Sequence, residues 1–188
     1  MELILILGPM KSGKSFDLIS YFMPLKYTNI NFSLYQPIKN KREDDVWSRN
    51  GVSIKAEKIN SLKEILNNKD KIIGIDEIHM FPPEDVMVIS ELLEKKKKII
   101  VSGLDMDYKG NMFPVVKKLF ELGPKEVKYK RAVCEICKKP EAIYTQIYKN
   151  NKPVLNGLPS VFSDNGKYTY APVCRNCFVN NKQRNQNA

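Results

Sequence analysis

Apolar residues in this chain gather in short dense runs, separated by stretches with helical spacing. Glu2–Leu7 is one such run, broken at Gly8, and reads as a strand buried on both faces. Past Gly13-Lys14-Ser15, Phe16, Ile19, Phe22 and Met23 recur at helical spacing, so a helix follows directly. Asn31–Tyr35 is the next strand. Residues 37–51 are polar, charged and aperiodic, the pattern of a long loop that moves when no ligand holds it. Ser61-Leu62-Lys63-Glu64 is a capping box opening a short helix with Leu62, Ile65 and Leu66 on one face. Ile72–Ile75 then forms a buried strand that ends in Asp76. Pro82-Pro83 starts a helix with Val86, Ile89 and Leu93 inward, and the lysines at 95–98 suit its negative end. Ile99–Ser102 is a further strand, and Val115–Leu122 a helix stopped by Gly123-Pro124. Strands alternating with helices predict an α/β fold with a mostly parallel sheet. Beyond Arg131 the pattern turns to short β-like runs, scattered Gly and Pro, and all four cysteines. The expected division is an α/β domain over 1–131, a small second domain over 132–178, and an unstructured Asn/Lys/Gln-rich tail over 179–188.

Composition narrows this little. The chain has 188 residues, of which 43% are apolar, enough for a core. No apolar run approaches the ~20 residues that cross a bilayer, and the opening run lacks the basic start of a signal peptide, so the expectation is a cytosolic chain away from membranes. The net charge of +10 could attract nucleic acid, yet only five of the 31 basic residues are arginines, the side chain that phosphate forks and base readout favour. Abundant Lys, Asn and Ile reads as the coding bias of an AT-rich genome, and no nucleic-acid partner is inferred.

The chemistry concentrates in three places. Gly8-Pro9-Met10-Lys11-Ser12-Gly13-Lys14-Ser15 matches Gly-x4-Gly-Lys-Ser/Thr between a strand and a helix. Backbone amides of such a loop curl around phosphate, Lys14 neutralises the β- and γ-phosphates, and Ser15 ligates Mg²⁺. This makes the fold P-loop NTPase-like, with a RecA/Rossmann-like sheet and ATP as ligand. Asp76-Glu77 arrives at the carboxyl end of an apolar strand, where open α/β sheets bind ligands. Asp76 is expected to hold magnesium, and Glu77 to accept a proton from an attacking hydroxyl or water. Cys134/Cys137 and Cys174/Cys177 form two Cys-x-x-Cys knuckles, the donor set of a closed structural zinc site in a part too small to hold itself by a core. His79 is the only histidine. A role at the catalytic edge and a structural hydrogen bond are both open to it. Asp76-Glu77-Ile78-His79 also has the form of a helicase D-E-x-H box, but nothing after Gly123 provides a second motor domain. A zinc-ribbon binding module with a vestigial nucleotide site is opposed by intact Lys14, Ser15, Asp76 and Glu77.

Three longer stretches resemble one family. The P-loop written Gly-Pro-Met-x-Ser-Gly-Lys-Ser, the run Gly103-Leu104-Asp105-Met106-Asp107-Tyr108-Lys109-Gly110-Asn111-Met112-Phe113, and Tyr170-Ala171-Pro172-Val173-Cys174-Arg175-Asn176-Cys177-Phe178 are similar to the thymidine kinases of bacteria, animal cytosol and large DNA viruses, in the same order from residue 8 to 178. The resemblance implies phosphate transfer from ATP-Mg²⁺ to the 5′-hydroxyl of deoxythymidine, with deoxyuridine as a further acceptor, in pyrimidine deoxynucleotide salvage. It implies Glu77 as general base, with Gly8 to Ser15 and Asp76, Glu77, Ile78 and His79 around the nucleotide. A "lasso" at about 149–170 would close over the nucleoside. Met10 and Leu104 map beside the thymine methyl, Phe113 lines the site, Tyr170 stacks, and Arg42, Asp107, Ser163 and Gly166 complete the substrate set. It also implies a homotetramer restrained by dTTP. The chain departs from the family at Lys11, at His79 in place of glutamine, at Asn40-Lys41-Arg42 in place of Asp-x-Arg, and in the polar lasso run Ser163-Asp164-Asn165-Gly166.

Overall fold

The computed structural model describes residues 1–40, 45–48, 51–161 and 166–186, of which 184–186 are described by backbone alone. In chain order β1 (Glu2–Leu7) leads to α1 (Lys14–Phe22), β2 (Phe32–Pro37), the short strands β3 (Val46–Trp47) and β4 (Ser53–Ile54), and β5 (Glu57–Ile59). Then come β6 (Ile72–Ile75), α2 (Val86–Glu94), β7 (Lys98–Gly103), α3 (Pro114–Glu121) and β8 (Glu126–Tyr129). The last part holds β9 (Tyr144–Lys149), β10 (Lys152–Pro153), β11 (Thr169–Val173) and α4 (Arg175–Gln186).

Six strands form one sheet in the order β5-β2-β6-β7-β1-β8, and every neighbouring pair is parallel. The apolar run of β1 has its reason here. Leu3, Leu5 and Leu7 face the cluster that includes Val88, Ile89 and Leu92 of α2 and Val115, Val116 and Leu119 of α3. Ile4 and Ile6 face the opposite cluster with Leu18, Ile19 and Phe22 of α1. With helices on both faces, every position from Leu3 to Leu7 is buried and apolar, and only Glu2 at the strand's start is polar. The phenyl ring of Phe22 seats directly on β6, where a Cβ at Gly74 would lie only 2.8 Å from its Cζ.

The chain keeps the expected order of elements but differs in detail. Phe16, counted above in the helical spacing, is 40% exposed, whereas Leu18 is fully buried. Lys14, Leu18 and Phe22 recur at four-residue spacing on the sheet-facing side, and Phe16 lies between the first two, round the helix from them. In α2, Leu92 is the fully buried residue, and Leu93 sits half-buried at the edge of the same cluster. The capping box at Ser61–Glu64 is present, but the helix it opens is a 3-10 turn, Leu62–Ile65. At the end of the expected loop, β3 pairs antiparallel with β4, and Val46 and Ile54 are buried against α1's cluster. β8 escapes the pattern because it is an edge strand with Val127 as its one aliphatic residue.

Past Arg131 a three-stranded antiparallel sheet, β10-β9-β11, replaces the parallel one. Asn150 and Asn151, both at positive φ, make the two-residue turn between β9 and β10, as a type I′ hairpin requires. The polar composition after Val179 does not end the structure, since α4 carries helical backbone to Gln186. Its first turn is held by Phe178, whose ring stacks on Tyr144 with centroids 4.2 Å apart. No helix among the described residues is long and apolar enough to cross a membrane.

Phe22 joins α1 to the sheet at its closest approach, so Phe22→Ala opens a cavity the glycine opposite cannot refill. A loss of about 3–5 kcal/mol of folding free energy is expected from denaturant unfolding, with an unchanged m-value. A loss below ~1 kcal/mol would show that α1 can settle onto the sheet without the ring.

Candidate active site at the carboxyl edge of the sheet

Three neighbouring strands, β6, β7 and β1, deliver the predicted chemistry to one edge. In register, Leu7 stands beside Gly103 and Ile75 beside Val101, so the residues that follow emerge side by side. After β1 the loop from Gly8 to Ser15 folds as a compact anion cradle. Gly8 has φ 146°, and a Cβ there would meet the carbonyl oxygen of Lys130 at 2.4 Å, so only glycine allows this entry. Gly13 sits at φ 80° and leads into α1 with no side chain capping its amides. Lys14 is buried and its Nζ donates to the carbonyl of Pro9 at 2.7 Å. The buried hydroxyl of Ser12 finds no partner among the described residues. A buried cation, an orphaned hydroxyl and uncapped amides within one short loop fit an anionic ligand with several oxygens.

Asp76 stands opposite this loop. It is 5% exposed, accepts from Ser15 Oγ at 3.3 Å and from Ser102 Oγ, and its amide donates to Tyr35 O at 2.9 Å. Burial pushes the carboxyl up from its ordinary 3.8 to about 6. The charge of Glu77 adds to this, and the hydrogen bonds from Ser102 and the Glu77 amide, with the Lys14 ammonium, oppose it. Glu77 differs in kind. Its backbone is left-handed at φ 50°, which turns the side chain out of the sheet, and it is 31% exposed. One carboxylate is thus held inside to organise and the next is open to an incoming molecule.

His79 joins them. Its Nδ1 accepts from the Leu104 amide at 3.3 Å and lies 3.4 Å from Glu77 Oε2. Its ring packs at 5.1 Å from Phe113. Leu104 and Phe113 therefore come within reach of the acid pair, as the motif order anticipates. Asp105, beyond Leu104, is buried, and that burial raises its carboxyl above the usual range while the Lys14 ammonium partly counters it.

Other anticipated residues fall differently. Ile78 is not brought to the site: it is fully buried in the core beneath β7. Asp107 has its carboxylate engaged by the amides of Lys109 and Asn111, each at 2.9 Å, and by Ser160 Oγ at 2.9 Å. Tyr170 lies half-buried on β11 opposite Ile147, and Gly166 takes a positive φ of 80° ahead of that strand. Met10 donates its amide to Thr145 Oγ1 on β9 at 3.0 Å, and Lys11 pairs with Glu135 between the first two cysteines. Arg42 and Ser163 lie outside the described residues. Ser102, Thr145 and Glu135 were not anticipated. Ser102 left a trace, as the polar residue that follows the apolar run Ile99–Val101, but the other two act across more than a hundred residues and leave no local pattern.

The four cysteine sulfurs lie within 4.8 Å of one another, with Cys137 and Cys174 Sγ atoms 3.7 Å apart. That is far too long for a disulfide and close to the ~3.8 Å edge of a tetrahedron with ~2.3 Å metal–sulfur bonds. Burial raises the Cys134 thiol, but the amides of Cys137, Cys174 and Ile136 outweigh it and bring it down to about 6. Burial and the three other thiols push Cys177 up to about 12. Four thiols this close ionise together only around a cation, so the cluster could hold a metal ion such as zinc.

The thymidine kinase family model matches residues 1–178. The chain belongs to that family. A curated thymidine kinase from Thermococcus kodakarensis is 34% identical over 180 residues, covering 90% of each chain. Family membership makes the chain a kinase, and the P-loop beside an acid pair is the arrangement such an enzyme needs.

The raised carboxyl of Asp76 has a stability consequence of definite sign. Because its folded-state value lies above the unfolded one, the unfolded chain releases the proton first, and folding stability falls as pH rises from about 4 to about 6. In metal- and nucleotide-free protein, Asp76→Asn should therefore melt higher than wild type at pH 7.5 and nearly together with it at pH 4. Equal melting temperatures at pH 7.5 would show that ionised Asp76 carries no such cost.

Proposed function

We propose that this chain is a thymidine kinase that transfers the γ-phosphate of ATP-Mg²⁺ to the 5′-hydroxyl of deoxythymidine, and of deoxyuridine as a second acceptor. The observation that carries the reading is the partly exposed Glu77 next to the buried Asp76, whose carboxylate is bonded by Ser15 of the loop that also holds Lys14. The family match over residues 1–178 supports the choice of nucleoside. The amides of residues 8–15 and Lys14 would hold the nucleotide's phosphates, and Ser15 with Asp76 the magnesium. Bound magnesium supplies charge neutralisation for the transferring phosphoryl group. Glu77 takes the proton of the 5′-hydroxyl as its oxygen bonds to the γ-phosphorus and the β–γ bridge opens, the bridge electrons passing to ADP. Such proton abstraction is worth ~10²–10⁴-fold, the rest being position and charge.

Met10, Leu104, Phe113, Gly166 and Tyr170 are the proposed thymine and sugar contacts, with Arg42 and Ser163 added by resemblance. Zinc is the metal proposed for Cys134, Cys137, Cys174 and Cys177, in a structural role that ties the ends of residues 138–173. We assign residues 1–131 to the kinase domain and 132–178 to the zinc domain. The resemblance further supports a cytosolic homotetramer with dTTP as feedback inhibitor, serving deoxynucleotide salvage.

Incubating the protein with ATP and each of four deoxynucleosides, and with single-stranded DNA as a control, tests the reading. Thymidine-dependent turnover is expected, and DNA-stimulated hydrolysis without nucleoside turnover would overturn it. Glu77→Gln preserves shape and hydrogen bonding, so turnover should drop by ~10²–10⁴ with ATP affinity and melting temperature nearly unchanged. Wild-type turnover in that variant would remove Glu77 as base. Protein purified without added metal should carry one zinc per chain by elemental analysis, and a metal-free, fully active preparation would refute the structural zinc.

A further inference from the structure

Between β7 and α3 the chain makes a tight excursion, residues 104–113, that no general motif explains. Met106 and Met112 face each other across an antiparallel bridge, and Asp107 N donates to Asn111 O at 2.8 Å. The Asp107 carboxylate closes the turn from inside, one oxygen accepting from both Lys109 N and Asn111 N at 2.9 Å. Its base carries Leu104 and Phe113, half-buried and buried against the core. Its tip, Gly110, lies under the rings of Tyr144 and Phe178, which a Cβ would approach to 3.2–3.3 Å.

A segment from the other end of the chain is fastened onto this hairpin. Asp107's second carboxylate oxygen accepts from Ser160 Oγ at 2.9 Å. Tyr108, 3% exposed, donates its hydroxyl to Leu158 O at 2.8 Å and accepts from Leu158 N at 3.1 Å. Two adjacent residues thus grip positions 158 and 160, fifty residues on, and Val161 next in line packs against the core cluster. The strap 154–161 has few other ties: its first amide, Val154 N, bonds Ile147 O at 2.8 Å, and Gln146 Nε2 reaches Val154 O at 3.0 Å. It is otherwise irregular chain.

We propose that Asp107 and Tyr108 are positioning residues for nucleoside binding, latching the strap onto the hairpin that supplies the pocket's Leu104 and Phe113. The inference rests on the thymidine-kinase reading for its substrate, and it gives Asp107 a role that does not touch that substrate. Three hydrogen bonds fix positions 158 and 160 on the hairpin, so the latch lowers the ordering cost of binding. Its loss should leave phosphate binding and the acid pair intact, since the side-chain hydrogen bonds of both residues run within the hairpin and to the strap.

Tyr108→Phe deletes both bonds to Leu158 and keeps the ring. The expected result is a thymidine KM raised roughly 5- to 100-fold, with kcat and the ATP KM within about twofold. Hydrogen exchange should speed up at the Leu158 amide and stay unchanged at Val154. Asp107→Asn retains an acceptor for the turn amides and offers an N–H to Ser160 Oγ, so it should restore near wild-type behaviour, whereas Asp107→Ala and Ser160→Ala raise the thymidine KM. Unchanged Leu158 exchange and thymidine KM in Tyr108→Phe would overturn the latch, as would an equal rise in both KM values. Asp107→Asn as impaired as Asp107→Ala would overturn it too, since the carboxylate charge itself would then be at work. The exchange measurement needs no nucleoside, so it decides the latch even if thymidine proves not to be the acceptor.

Discussion

A buried carboxylate at the end of β6 is the constraint around which this molecule is arranged. Water would stabilise the charge of Asp76 far better than the sheet does, and burial with Glu77 alongside raises its carboxyl to about 6. The surroundings answer with a matched set of donors: Ser15 from the P-loop, Ser102 from the neighbouring strand, and the Lys14 ammonium close by. These donors come from the ends of two other strands, Ser15 and Lys14 after β1 and Ser102 from β7. Satisfying this one group therefore requires the parallel register of β6, β7 and β1, and that register is what places the cradle, the acid pair and Leu104 on one edge. A polar group that stabilises poorly on its own specifies the geometry around it.

The two acids of the pair are separated by backbone handedness rather than by chemistry. Asp76 continues the strand and stays inside, and Glu77, at positive φ, swings out and remains partly exposed. A positive φ at a non-glycine residue is strained, and strain persists where the surrounding structure holds it. Here the hold comes from Ile78, sunk into the core against Gly103, and from His79, tethered to the Leu104 amide. The neighbours Ile78 and His79 thereby aim the residue proposed as base.

The kinase sheet and the cysteine-bearing part are joined by contacts that radiate from functional loops. Met10 donates to Thr145, Lys11 pairs with Glu135, and Gly110 packs under Tyr144 and Phe178. A metal at the four cysteines would consequently steady the far wall of the phosphate loop as well as its own knuckles. The polar ties are partly solvated and individually weak, so the packed Gly110 contact sets the position and the ion pair at Lys11 adds little.

The sequence alone carried the α/β class, the strand ends bearing the P-loop and acid pair, and the pairing of cysteine knuckles. Each of these is local: a strand buried on both faces must be apolar throughout, a phosphate cradle needs glycines at set intervals, and a Cys-x-x-Cys knuckle is closed within a turn. Helix faces were legible only in part, since Phe16 and Leu18 are equally apolar and only the sheet's position selects Leu18. β8 and α4 were invisible because a polar edge strand gains its stability from pairing, and a polar helix from one packed turn at Phe178. What the tertiary structure alone decided were the long-range polar contacts: Ser102 on Asp76, Thr145 on Met10, and Tyr108 and Asp107 on the strap. A hydrogen bond between residues 26 or more apart depends on two elements arriving together, and neither element's own pattern records the other.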